Sequence, residues 1–216
     1  MDLWLSAGVY AVMIDDDVVF LDVATNAYFC LPAVGSVLAL EGRSLRVAAR
    51  ELAEDLIQAG LASAAAAIEP PPSTPAPVRT ARAVLEALPA RERPRPRLAH
   101  WRQAIMAGLA SRAAERRPFA QRLPPPSTGV SPPASEGLLA DLDAFRRLQP
   151  WLPFDGACLF RSQMLRDYLL ALGHRVDWIF GVRTWPFGAH CWLQAGDLVL
   201  DDEAERLIAY HPIMVR

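Results

Sequence analysis

The chain has 216 residues, 52% of them hydrophobic and 21% charged, with a formal net charge of −2. That length suits one large domain or two small ones, and the near-neutral balance gives no electrostatic ground for binding nucleic acid or a membrane surface. Every basic residue is Arg and none is Lys, which reads as a coding bias without mechanistic weight.

Three cysteines, Cys30, Cys158 and Cys191, make an odd count at spacings that match no zinc or disulfide framework. Neither a metal nor another cofactor is therefore expected, and no Gly-rich phosphate loop is visible. Free thiols fit a reducing cytosol. No stretch approaches the ~20 apolar residues of a membrane span, and no basic start followed by an apolar run marks a signal peptide. A cytoplasmic protein is the expectation.

Two Pro-rich stretches, EPPPSTPAP at 69–77 and the run at 118–133 containing PPPSTGVSPP, divide the chain. The front segment opens with three strand signals at 9–14, 18–22 and 27–31, separated by Asp15–Asp16–Asp17 and Ala24–Thr25–Asn26. A short helix over 34–40 is expected to close at Gly42. A longer one is expected to start at Ser44, carry Leu45, Ala48, Leu52 and Leu56 on one face, and end at Gly60. A small sheet with two helices is a winged-helix-like layout. Its open edge suits docking of an extended peptide as an added strand.

The middle segment, 78–117, carries Leu85, Leu88, Leu98, Trp101, Ile105 and Leu109 at helical spacings. It is expected to pack on the tail, which is too small to complete a core alone. Its arginines read as a solvated face.

The tail holds the chemistry. Cys158 follows Asp155–Gly156 and leads a helix in which Ser162, Leu165, Leu169 and Leu172 share its face, with Gly173 as the stop. A helix N-terminus and a nearby imidazolium are the two devices that turn a thiol of pKa ~8.5 into a thiolate. His190 lies on a strand over 189–194, facing the same side as Trp192 and Gln194. Ala189, Cys191 and Leu193 face the other side, so Cys191 points away if His190 faces the helix. The orienting carboxylate is Asp201 or Asp202. A two-residue loop at Gly196–Asp197 pairs Trp192 with Asp201 on the face of His190, whereas a three-residue loop pairs His190 with Asp202.

The elements CLFRS at 158–162, the helix to LLALGH, FGVRTWPFGAHCW at 180–192 and the closing VLDD resemble the leader peptidase, or B protein, of lasso-peptide biosynthesis. The resemblance covers roughly 150–216. It includes the 32 positions from Cys158 to His190 and the 12 from His190 to Asp202, and it favours Asp202.

The resemblance implies an α+β protein: a winged-helix-like leader-recognition domain at 1–68, a linker at 69–77, and a transglutaminase-like (papain-like) cysteine protease domain at 78–216. Within the last, 78–117 is helical and 118–136 is a Pro-rich loop. It implies a Cys158–His190–Asp202 triad that frees the core of a ribosomal precursor peptide from its leader. It further implies leader contacts at Tyr28, Phe29, Arg46 and Arg50, and an asparagine-synthetase-like cyclase as partner. The rival readings are a transglutaminase-like amidase or acyltransferase with the same triad, and a non-catalytic precursor-binding chaperone.

Overall fold

The first strand, β1 (Asp2–Leu5), has no turn signal before it and is absent from the expected elements. The meander follows as expected: β2 (Val9–Ile14), β3 (Asp17–Asp22) and β4 (Ala27–Leu31), turned by Asp15 at φ 52° and Asn26 at φ 55°. Asp and Asn tolerate the left-handed region because their short polar side chains bond locally. This computed structural model describes residues 1–65, 74–89, 95–126 and 131–216. Most of the expected linker at 69–77 lies outside the described residues.

The stretch expected as a short helix instead forms a hairpin, β5 (Leu38–Glu41) and β6 (Ser44–Val47). Gly42, at φ 61°, supplies its two-residue turn rather than a helix stop. The pairs Leu38–Val47 and Leu40–Leu45 alternate with polar partners, and Leu38, Leu45 and Val47 are buried. Glycine serves both helix ends and hairpin turns, and here the period of two decides. The helix α1 (Arg50–Gln58) therefore starts six residues later than expected, and β7 (Ala62–Ser63) follows it. One helix and two sheets, ordered β5-β6-β1-β7 and β2-β3-β4, replace the expected two-helix winged layout.

In the sheet β2-β3-β4, the strands β2 and β3 are covered on both faces, while Phe29 and Cys30 of β4 are exposed. Val9, Ala11, Met13, Val18, Phe20 and Leu31 pack against the other front sheet and α1. The alternate residues Tyr10, Val12, Ile14, Val19, Leu21 and Tyr28 join the core of the catalytic region. Two apolar faces explain why these strands read as unbroken apolar runs.

The catalytic region begins with β8 (Arg79–Thr80), α2 (Ala81–Ala87), α3 (Leu98–Ala114) and α4 (Phe119–Arg122). Of the large apolar residues expected to pack α3, Trp101 packs against the core, but Leu98, Ile105 and Leu109 are 84%, 40% and 53% exposed. Its buried face is small, with Ala104, Ala107, Gly108, Ser111 and Ala114, so α3 lies close on its neighbours. α5 (Glu136–Leu148) was not among the expected elements. It is capped by Ser135 Oγ, which accepts from Leu138 N–H at 3.1 Å.

After a 3-10 turn at Gln149–Trp151 comes α6 (Cys158–Ala171), then β9 (Asp177–Arg183), β10 (Gly188–Ala195), β11 (Leu198–Val199), α7 (Ala204–Leu207) and β12 (His211–Val215). The sheet order is β12-β9-β10-β11-β8, with α3, α5 and α6 packed together and α6 against β10. Among the described residues no helix is long and apolar enough to cross a membrane.

Candidate active site

Pro150, Pro153 and Gly156 keep the approach to α6 irregular, so the helix starts at Cys158. Its N-cap, Ala157, offers no side-chain acceptor. The first-turn N–H groups therefore remain aimed at whatever lies before the helix, and the positive end of the dipole faces Cys158. Ser162, Leu165 and Leu169 are buried one, two and three turns on, the face expected of them.

His190 Nε2 lies 2.6 Å from Asp202 Oδ2, with side chains only 18% and 12% exposed. That contact leaves Nδ1 free, and His190 lines the same cleft as Cys158. The three expected triad residues are thus brought together. The imidazole is also walled by Trp192, stacked at 6.3 Å, and Tyr210 at 5.6 Å. Gly181 sits opposite His190 in the β9–β10 ladder, and a Cβ there would lie 2.7 Å from the Trp192 ring. Glycine at this position lets the indole lie flat beside the imidazole.

Cys191 does not face away from the nucleophile as expected. It packs in the core on the α6 side of the sheet while Trp192 packs on the other. The edge of β10 pairs with β11 only at Gln194 and Ala195. Cys158 sits beyond that pairing and is reached by both His190 and Cys191. Hydrogen bonds from Cys191 and then His190 bring the Cys158 thiol down to about 4, against the opposing effect of burial. Cys191 is pushed well above its ordinary value by Cys158 and by burial. His190 is raised, chiefly by its bond to Cys158 and then to Asp202, with burial opposing. The favoured state is a Cys158 thiolate beside a His190 imidazolium, with Cys191 as a neutral donor.

The two aspartates divide the work. The β10–β11 loop is the two-residue one, pairing Gln194 with Val199. That register was expected to put Asp201 on the face of His190, but the regular strand ends at Val199, with one further bond from Leu200 N–H to the Leu193 carbonyl at 2.9 Å. Asp201 Oδ1 instead accepts from Leu193 N–H at 2.7 Å, a position that a strand carbonyl would otherwise fill. Its Oδ2 lies 2.5 Å from Ser162 Oγ, which also reaches Cys191 O at 3.3 Å. Desolvation pushes Asp201 up to about 6, against the bonds from Leu193 and Ser162. Ser162 has a single hydroxyl proton, and of its two acceptors Asp201, at 2.5 Å, is closer than the Cys191 carbonyl at 3.3 Å.

The expected leader contacts are scattered. Tyr28 reaches into the catalytic cleft, where it lines a recess with Phe119, Leu159, Ala189 and Cys158, and its ring meets Phe187 at 5.7 Å. Burial, then Cys191 and Cys158, push its phenol up to about 12. Phe29, its neighbour on the strand, is 44% exposed on the opposite face. Arg46 lies in the other front sheet, on β6 and 3.8 Å from Asp2, and Arg50 opens α1 paired with Glu54 at 2.7 Å. Trp185 Nε1 donates to Asp17 at 2.6 Å, so the β9–β10 loop also touches the front sheet.

Among the described residues no group of His, Cys, Asp and Glu is placed to hold a metal ion. No curated protein and no solved structure matches the chain. A family model for the transglutaminase-like superfamily matches residues 104–215, more than half of the 216. A cysteine at a helix start, a histidine on the second strand and an aspartate after the third all fall inside that match, and the chain belongs to the transglutaminase-like superfamily.

Proposed function

We propose that this protein is a cysteine peptidase that binds the leader of a ribosomally made lasso-peptide precursor and cuts it from the core peptide. The observation that carries the reading is the convergence of Cys158 and His190 on one cleft, with His190 Nε2 2.6 Å from Asp202. The Cys158 thiolate attacks the scissile carbonyl, and the N–H of Cys158 at the open helix start donates to the oxyanion. His190, held as the cation by Asp202, protonates the leaving amine. It then takes a proton from the water that hydrolyses the thioester.

The front region would hold the leader on β4, whose outer edge is unpaired among the described residues. Tyr28 and Phe29 are then its contacts on the two faces of that strand. Arg46 and Arg50 would meet the leader only where it leaves the strand. A partner cyclase of the asparagine-synthetase type would close the freed core. The exposed Leu98, Ile105, Met106 and Leu109 on α3 offer a protein partner an apolar stripe.

The test is incubation with the precursor peptide encoded beside the gene, read by mass spectrometry, with Cys158→Ala alongside. Cleavage by the native chain and none by the variant is the expected result; binding without cleavage by either would leave a chaperone. Superfamily membership also accommodates acyl transfer. A primary amine added to the reaction separates the two: an amide product in place of hydrolysis means the acyltransferase reading.

A further inference from the structure

A cleft of about 280 Å³ at Cys158, His190 and Asp202 is lined by arginines from four helices: Arg82, Arg146, Arg161 and Arg206. Two of them are committed. Arg82 bonds Glu86 at 2.8 Å and approaches Glu203 at 4.0 Å, and Arg206 lies 3.3 Å from Asp202. The side chains of Arg146 and Arg161 make no ion pair or hydrogen bond among the described residues. The acids nearest Arg146 are already engaged, Asp143 by Arg147 at 2.7 Å and Glu86 by Arg82. Three acids line the cleft: Asp202 holds His190, Asp201 holds Leu193 N–H and Ser162, and Glu203 faces Arg82 at 4.0 Å.

Arg146 is half-buried, and burial followed by the neighbouring Arg82 charge lowers its pKa. A desolvated guanidinium beside a second cation is unfavourable until an anion arrives. Guanidinium groups suit carboxylates because two parallel N–H donors match the two oxygens.

Arg161 follows Cys158 by three residues on α6. That is a rise of about 4.5 Å along the helix, roughly one to two residues of an extended peptide.

We propose that Arg146 and Arg161 form a subsite for a carboxylate, namely an acidic side chain of the peptide substrate one or two residues from the bond cut at Cys158. This rests on Cys158 being the nucleophile, and it names a substrate feature that the triad alone does not.

The probe pair is iodoacetate, which carries a carboxylate, and iodoacetamide, its neutral counterpart. Second-order alkylation rates at Cys158 are measured on the full chain at fixed pH, with Cys158→Ala subtracting the other two thiols. The iodoacetate-to-iodoacetamide ratio is expected to fall about tenfold in Arg146→Met/Arg161→Met, the scale of one partly desolvated ion pair. It should recover in Arg146→Lys/Arg161→Lys and stay at the native value in Arg147→Met, whose arginine is already paired. Arg161→Met alone, at an exposed position, must shift the ratio in the same direction even if the double variant folds poorly. A ratio unmoved in both Met variants overturns the subsite. If neither reagent modifies Cys158 faster than an ordinary thiol, the nucleophile reading fails instead, whatever the arginines do.

Discussion

Replacing Asp202 by Asn tests the site because its hydrogen bonds dictate how the amide must sit. Asp202 Oδ1 accepts from Glu203 N–H at 2.8 Å and from Arg206 at 3.3 Å, while Oδ2 faces His190 Nε2 at 2.6 Å. The oxygen of an asparagine stays with the two donors, so its NH₂ turns toward Nε2. An imidazole that accepts there carries its proton on Nδ1, facing the thiol, and the thiolate–imidazolium pair loses its support. The charge-assisted bond alone contributes about 2–3 kcal/mol, or roughly 30–160-fold in kcat/KM. The wrong tautomer adds to that loss.

Two assays read it. One is precursor cleavage. The other is the pH dependence of iodoacetamide alkylation, which gives the Cys158 titration without a substrate. In the native chain reactivity rises through about pH 4 as the thiol ionises. Cleavage falls again only where His190 loses its proton, above the ordinary imidazole value because Cys158 and Asp202 raise it. Asp202→Asn should move the thiol titration up and depress the whole profile. Asp201→Asn should cost less, since the amide oxygen still accepts from Leu193 N–H and the NH₂ can donate to Ser162 Oγ, whose own proton then turns to the Cys191 carbonyl. If Asp202→Asn stays within about threefold of native while Asp201→Asn loses cleavage, the orienting carboxylate has been assigned to the wrong residue.

Cys191→Ala removes the largest support of the Cys158 thiolate; the thiol titration should move up yet stay below an ordinary thiol because His190 remains, and an unmoved titration refutes the contact. Gly181→Ala drives a methyl to 2.7 Å from the Trp192 ring. The overpacking costs about 1–3 kcal/mol, read as a lower Tm, and the displaced indole should disturb the His190 titration as well. Tyr28→Ala should slow cleavage of leader-bearing and leaderless substrates alike if Tyr28 acts as a wall of the cleft. A loss confined to leader-bearing substrate would make it a leader contact only.

The placements of Cys158 and His190 were readable because each is fixed by local pattern: a Pro- and Gly-broken approach ending in a helix at Cys158, and a strand with His190 near its start. The placement of the two aspartates was not. Hairpin arithmetic identifies the loop at Gly196–Asp197, but where pairing stops depends on Asp201 finding Ser162 on another helix, a contact 39 residues away. The same long-range dependence hid the position of Cys191, which lines one cleft with Cys158 and whose carbonyl lies 3.3 Å from Ser162 Oγ on α6. On α3 the size of side chains misled, because close helix packing favours the small face. On α5 the signal was present, with Ser135 before Leu138, Leu142 and Phe145, and the preceding prolines drew the eye to a loop.

A front region joined to an enzyme by prolines suggests a flexible tether, in which leader binding only raises the local concentration of the cleavage site. The two-faced sheet β2-β3-β4 argues for a different physics. Its alternate residues lie in both cores, and Tyr28 projects from it into the cleft with Cys158. A leader paired along β4 would then be fixed to the same body as the nucleophile, and the peptide between would bridge a constant span. Shortening a precursor one residue at a time between leader and cut removes about 3.3–3.6 Å of reach per step. With a fixed span, cleavage should hold while slack remains and then collapse by about two orders of magnitude over one or two further residues. A tethered module would move to follow the shorter peptide, and closure entropy changes by only about 0.6 kcal/mol per doubling of length. A gradual slope across the deletion series would therefore refute the single-body delivery of the scissile bond, whereas an abrupt edge would measure the span from β4 to Cys158 in residues.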